Sequence, residues 1–232
     1  SSIIAPNKED GVASDADPVV AYTVDFSEPV SGIGGGDIDV EGGTLVPGTV
    51  SLSEDGLQAT FEVQAFDESM TDLVVTVMDS VTDLHGNALI VSSSDPVTVD
   101  RVNPEAPIIS VSDNDATEGD AGAGVFTVTG EAGSSIEVTL TGAVGDLVKT
   151  IDGADGSAQA VTLSADEVAA LGEGSVQVSA IQTDEHGNIS LTASSDSFVI
   201  DTIDPEVSVS DDLDGIAFDG ANSVTYTLSF SE

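Results

Sequence analysis

The sequence predicts an all-β fold, built from sandwich modules that follow one another in tandem as an extended rod. Three observations carry that expectation. Apolar residues recur at every second position over short runs, which is the period of a strand with one buried face. These runs are rich in Val, Ile, Thr and Phe, and clusters of Gly, Ser, Asp and Asn separate them, as turns require. Finally, two strings return at one common spacing. Thr82-Asp83-Leu84-His85-Gly86-Asn87 recurs as Thr183-Asp184-Glu185-His186-Gly187-Asn188, and Asp100-Arg101-Val102-Asn103-Pro104 recurs as Asp201-Thr202-Ile203-Asp204-Pro205, each 101 residues on. A fixed period marks a repeated structural unit.

Taken in order, Val19–Phe26, Thr60–Val63, Leu73–Met78 and Val97–Val99 read as strands of a first module, residues 1–101. Ile108–Val111, Val125–Thr129, Ile136–Leu140, Leu147–Ile151, Gln159–Leu163, Val176–Ile181 and Phe198–Ile200 read as strands A to G of a second, residues 102–202. Seven short strands with turns between them fit an immunoglobulin-like sandwich. Ser164–Leu171 is helix-like: its Ser-x-x-Glu start matches a capping box, and its length allows one or two turns inside a loop. Residues 203–232 open like a truncated third module. There Tyr226-Thr227-Leu228-Ser229-Phe230-Ser231-Glu232 echoes Tyr22-Thr23-Val24-Asp25-Phe26-Ser27-Glu28, with Phe126–Glu131 at the corresponding place in module two.

Composition removes several function classes. Among 232 residues only Lys8, Arg101 and Lys149 are cationic, against 43 Asp and Glu, for a formal net charge of −40. Nucleic acids and anionic membranes are poor partners, because phosphate binding needs clustered cations. The same charge repels itself in a compact state, and divalent cations are the expected offset. There is no cysteine, hence no disulfide, zinc-thiolate or thiol chemistry. No run approaches the ~20 apolar residues that span a bilayer, so direct membrane insertion is not expected. Ser1-Ser2-Ile3-Ile4 lacks the basic start and apolar core of a signal peptide, and the chain reads as an internal fragment.

In such a sandwich the B–C and F–G loops share one pole, which also receives the incoming linker. That placement brings Glu131 from the B–C loop and Asp184 and Asn188 from the F–G loop toward Asp100 and Asn103 of the linker. The corresponding residues are Asp201, Asp204 and Glu232 at the next junction, and Glu28, Asp83 and Asn87 at the first pole. Calcium takes six to eight oxygens from carboxylates, amides, carbonyls and water, and these residues offer that set. The bland alternative is that Asp-x-x-Gly-Asn is an ordinary turn, with Gly supplying positive φ and Asp capping the loop. Carboxylates from three separate segments at one pole favour calcium.

The T-D-x-x-G-N loop, the V-D-x-x-x-P junction at Val99–Pro104 and the F-S-E-P-V segment at Phe26–Val30, in order along the chain, resemble the tandem immunoglobulin-like repeats of large bacterial surface adhesins of the RTX and biofilm-associated type. The resemblance implies a monomeric extracellular stalk on a bacterial cell surface, stiffened by calcium between neighbouring modules. The glycine-rich calcium-binding nonapeptides of RTX regions are missing, so an extender region is implied rather than the secretion end.

Other features weigh less. The acidic groups Asp113-Asn114-Asp115 with Glu118 and Asp120, Asp211-Asp212 with Asp214 and Asp219, and Asp15 with Asp17 read as solvated loops at the opposite pole. His85 and His186 repeat at one loop position and have no second His or Cys for zinc. A copied position argues against catalysis, no nucleophile–base pair stands out, and an enzyme is not expected. The rival function is a module that itself contacts a carbohydrate or protein surface. The 4% aromatic content and the lack of Trp disfavour a carbohydrate platform.

Overall fold

The computed structural model describes residues 2–111, 115–116, 124–195, 197–212 and 223–231. Their fold is all-β, with sandwich layers and one short α-helix. The first sandwich contains β1 (Ser2–Asn7), β2 (Val12–Ala13), β3 (Val19–Phe26), β4 (Ile38–Glu41), β5 (Gly43–Leu45), β6 (Ser51–Leu52), β7 (Gln58–Ala65), β8 (Val74–Val77), β9 (Ser92–Ser93) and β10 (Thr98–Val99). One sheet runs β1-β3-β7-β5 with β6 beside β7; the other runs β4-β8-β9; β2 and β10 pair in parallel.

The alternation seen in sequence is the cause of the layering. In β3, Val20, Tyr22, Val24 and Phe26 turn inward; in β7, Ala59, Phe61, Val63 and Ala65 do so. Opposite them Val75, Val77, Val97 and Val99 close the core. Tyr22 stacks on Phe61, its neighbour across the ladder, with ring centroids 5.7 Å apart. Each such buried side chain is worth about 1.5–3 kcal/mol against exposure.

The second sandwich follows the same logic. It contains β11 (Ile108–Val111), β12 (Asp115–Ala116), β13 (Phe126–Thr129), β14 (Ser135–Thr141), β15 (Asp146–Ile151), β16 (Gln159–Val161), α1 (Ala165–Leu171), β17 (Gly174–Thr183), β18 (Ala193–Ser194) and β19 (Phe198–Ile200). Sheet β11-β13-β16 faces sheet β12-β19-β17-β14-β15, with β18 beside β17. Its core is a separate cluster, from Val125 to Ile200, with Phe126 stacked on Phe198 at 6.1 Å. The strand read as D, β15, pairs with β14 and so lies in the sheet of the C and F strands.

The helix forms as its capping box requires. Ser164 Oγ accepts the Glu167 N–H, and Glu167 Oε2 accepts the Ser164 N–H at 2.7 Å. Val168 and Leu171 point into the core, so the helix closes one end of the second sandwich.

Last, β20 (Val207–Asp211) pairs antiparallel with β21 (Tyr226–Phe230), and the side chains of β21 are exposed. Phe26, Thr129 and Phe230, each two residues before a glutamate, lie opposite Ser2, Ile108 and Val207, the first residues of their strands. One register therefore repeats three times. Glu232, Asp113, Asn114, Glu118, Asp120, Asp214 and Asp219 lie outside the described residues.

Candidate functional site

The site forms where the second sandwich meets the first, and it begins with a local turn. Asp184 Oδ1 accepts the N–H groups of His186 (2.8 Å) and Asn188 (2.9 Å), and Asp184 Oδ2 accepts Asn188 Nδ2 (2.7 Å). The Asp184 N–H returns to the Asn188 carbonyl. Gly187 sits at φ +88°, a region open to glycine. The loop is thus folded by its own residues and presents a fixed asparagine and histidine.

The same turn is built at Asp83. Its Oδ1 accepts from His85 N (2.7 Å) and Asn87 N (2.8 Å), its Oδ2 accepts from Asn87 Nδ2 (2.7 Å), and Gly86 has φ +87°. These bonds hold the Asp83 carboxyl below its ordinary value of 3.8, the Asn87 side-chain amide contributing most. The difference between the copies is what lies outside the loop.

Asn188 is fully buried, because its amide plugs into the first sandwich. Its Oδ1 accepts the Asp15 N–H at 2.9 Å, and its Nδ2 donates to the Asp100 carbonyl at 3.0 Å. His186 Nδ1 lies 2.8 Å from Asp100 Oδ2. Asp100, Asp184 and His186 bring their ligand atoms within 4.8 Å of one another, the one such acidic and imidazole group among the described residues.

Arg101 supplies the positive charge beneath this contact. Its Nε donates to Asp15 Oδ1 (2.8 Å), its Nη1 to the Ala65 carbonyl (2.7 Å) and its Nη2 to Asp67 Oδ1 (2.8 Å). The residue is buried, so the fork ties the linker to two turns of the first sandwich at once. Lys8 pairs with Asp17 of the same turn as Asp15. Two of the three cations of the chain therefore gather at the pole on which the second sandwich rests. The composition points to metal ions as the offset for the negative charge; at this pole Lys8 and Arg101 supply positive charge from the chain itself. Asp15, read as part of a solvated loop, is instead held between Arg101 and Asn188. The signal that could have found it is the scarcity of cations: one next to the repeated Asp had to matter.

Of the residues expected together, the structure brings Asp100, Asp184 and Asn188 into contact. Asn103 turns to the first sandwich, where its Nδ2 reaches Glu68 Oε1 at 3.3 Å. Glu131 is exposed and stands outside the group at Asp100. Gln182 acts at that corner instead. Its Oε1 accepts the Glu131 N–H (2.8 Å) and the Ser134 hydroxyl (3.0 Å), and its Nε2 donates to the Glu105 carbonyl (2.5 Å). Gly130 makes room: a Cβ there would sit 2.4 Å from Gln182 Oε1.

At the next junction Asp201 and Asp204 are exposed; Asp201 Oδ1 accepts the Ile203 N–H, and Thr202 is held by Glu173. At the first pole Glu28, Asp83 and Asn87 line one pocket of about 150 Å³.

Calcium needs oxygen donors. The Asp100 and Asp184 carboxylates and the Asp100 main-chain oxygen are of that kind, and imidazole is not. They would form part of a coordination sphere that water completes.

No family profile matches the chain, and no curated protein matches it. Among solved structures it is similar to part of a 1.5-MDa bacterial ice-binding adhesin, with 18% identity over 90% of this chain and 68% of that one and a TM-score of 0.44. It is similar also to the N-terminal part of the bacterial S-layer protein SbsC (18% identity, 87% and 44% of the two chains, TM-score 0.29). A third is the FN1–FN3 domains of chicken CNTN1 (12% identity, 89% and 69%, TM-score 0.35). No helix among the described residues is long and apolar enough to cross a membrane.

Proposed function

We propose that this chain is a structural extender of a bacterial cell-surface adhesin. Its units, residues 1–101, 102–202 and the start of a third at 203–232, join end to end and hold a distal binding part away from the surface. The observation that carries the reading is Asn188, a fully buried side chain whose oxygen and nitrogen each bond to the neighbouring unit, the nitrogen also holding Asp184 of its own loop. A mobile hinge would leave such a group in water, since burying it without partners costs about 1–3 kcal/mol. The surface setting rests on the motif resemblance and on the net charge of −40, which suits an exposed stalk.

Calcium belongs to this proposal as the ion that tightens the junction at Asp100 and Asp184. In its absence these carboxylates and Asp15 have Arg101, His186 and Asn188 to hold them. One observation favours a second reading, a junction closed without metal: both Asp184 oxygens and both Asp100 oxygens already face hydrogen-bond partners.

Small-angle X-ray scattering of the chain in millimolar calcium and in excess chelator, at constant ionic strength, tests both. A longer and stiffer particle in calcium supports the metal-tightened extender. Profiles that calcium leaves alone but Asn188→Ala loosens support the metal-free junction. Profiles insensitive to both remove the docked junction and the extender with it.

A further inference from the structure

The first sandwich carries, at the pole where β1 begins, the elements with which the second sandwich grips its neighbour. The loop Asp83–Asn87 repeats the hydrogen bonds of Asp184–Asn188 one for one. Yet Asn188 is buried and Asn87 and His85 are exposed. A polar side chain held rigidly by its own turn and facing solvent is a preformed half of a contact whose other half is seen once in this molecule.

A second observation, independent of the loop, points to the same pole. In the second sandwich a cavity is lined by Thr129, Gly130, Glu131 and Gln182 on one side and by linker residues Glu105 and Ala106 on the other. The linker is seated there, with Pro104 and Pro107 buried. At the matching place in the first sandwich, Phe26, Glu28 and Val81 line the pocket of about 150 Å³ together with Leu89 and Ile90. Val81 holds the position of Gln182, 101 residues earlier. Val81 and the half-buried Leu89 give this pocket apolar walls, and Ile90 is 75% exposed at its rim.

We infer that this pole is a docking surface for a second unit of the same kind, specifically for the Asp15–Asp100 pole of another copy and the Pro-containing linker that follows it. In that contact Asn87 Oδ1 accepts the N–H of the copy's Asp15, Asn87 Nδ2 donates to the main-chain oxygen of its Asp100, and His85 faces the Asp100 carboxylate. The linker's Pro-Glu-Ala-Pro segment covers Val81, Leu89 and Ile90. The inference rests on the extender reading and adds the partner and the chemistry by which the first unit recognises it.

Register dictates the test. Ser2 lies opposite Phe26 as Ile108 lies opposite Thr129, so residues 1–107 fused directly ahead of Ser2 of the full chain reproduce the native spacing from Asp100 to the first strand. The chain has no cysteine, so spin labels go only where Cys replaces an exposed strand residue, Glu62 in each copy of the first unit and Glu137 in the second. Pulsed dipolar spectroscopy then reads the new junction and the native junction in one molecule, in chelator. The expected result is a distance distribution at the new junction as narrow as at the native one. Asn87→Ala in the receiving unit should lower its docked population about tenfold and leave the native junction unchanged. A broad new junction beside a narrow native one, or a narrow one indifferent to Asn87→Ala, overturns the inference while the extender reading stands. Two broad junctions overturn both. Asn87 is exposed, and the native junction in the same molecule reports that the units remain folded.

Discussion

At the scale of single residues, three positions decide the junction. Asn188→Ala leaves the Asp15 N–H and the Asp100 carbonyl facing an apolar methyl. It should weaken docking by about 1–3 kcal/mol without unfolding either core, visible as broader inter-unit distances while the thermal transitions hold. Arg101→Ala should cost roughly 2–4 kcal/mol in the first sandwich, because Asp15 and the Ala65 carbonyl lose a buried partner; Asp67, open to solvent, keeps the loss below that of a fully buried pair. Chemical denaturation measures it. Arg101→Lys should recover less than half, since one ammonium cannot reach all three acceptors of the fork. Gly130→Ala pushes a methyl into Gln182 and should loosen the linker at Glu105.

Elements answer to capping and burial. Ser164→Ala removes the cap of α1 and should lower the stability of the second sandwich by about 1 kcal/mol. The pH response has two ends. Glu167 is held below its ordinary 4.5, first by the Ser164 N–H, and Asp83 is held below 3.8. Depressed carboxyls lend stability above their unfolded values and lose it as pH falls through the folded ones. The helix cap should therefore weaken only below pH 4.5, and the Asp83 loop below 3.8; NMR titration of the two carboxyls follows both. Burial pushes Tyr22 up from 10.0 to about 12. A raised tyrosine lends stability below its unfolded value, so the first core should lose it between pH 10 and about 12, with Tyr22 phenolate absorbance appearing only toward the upper end.

For the whole molecule, charge sets the response. With 43 acids against three cations, each cation is in an ion pair, and two of the three are placed at one pole. Repulsion over the remaining surface is unpaired and long-ranged, so salt should stabilise the chain. Raising sodium chloride toward 1 M shrinks the screening length to about 3 Å, and the melting temperature should climb. Arg101 pairs are partly sheltered and should lose little by comparison. Calcium should raise the melting temperature beyond sodium at equal ionic strength if the junction holds it; equal effects would assign calcium to general screening.

The strands were legible because their signal is local. Val19–Phe26, Ile108–Val111 and Phe198–Ile200 have the bounds that alternation and turn residues predict, and Ser164 with Glu167 marks the helix. The repeated loop was legible as well, since Asp, Gly and Asn at fixed spacing dictate one hydrogen-bonded turn wherever they occur. What the loop touches was not. Asn188 meets Asp15 rather than Asn103, Gln182 rather than the Glu131 carboxylate ties the linker, and Arg101 takes the centre of the pole. Those contacts depend on how a linker with two buried prolines turns one folded unit against another. No periodicity in the chain encodes that angle; only the packing of two finished surfaces decides which polar atoms are left facing each other.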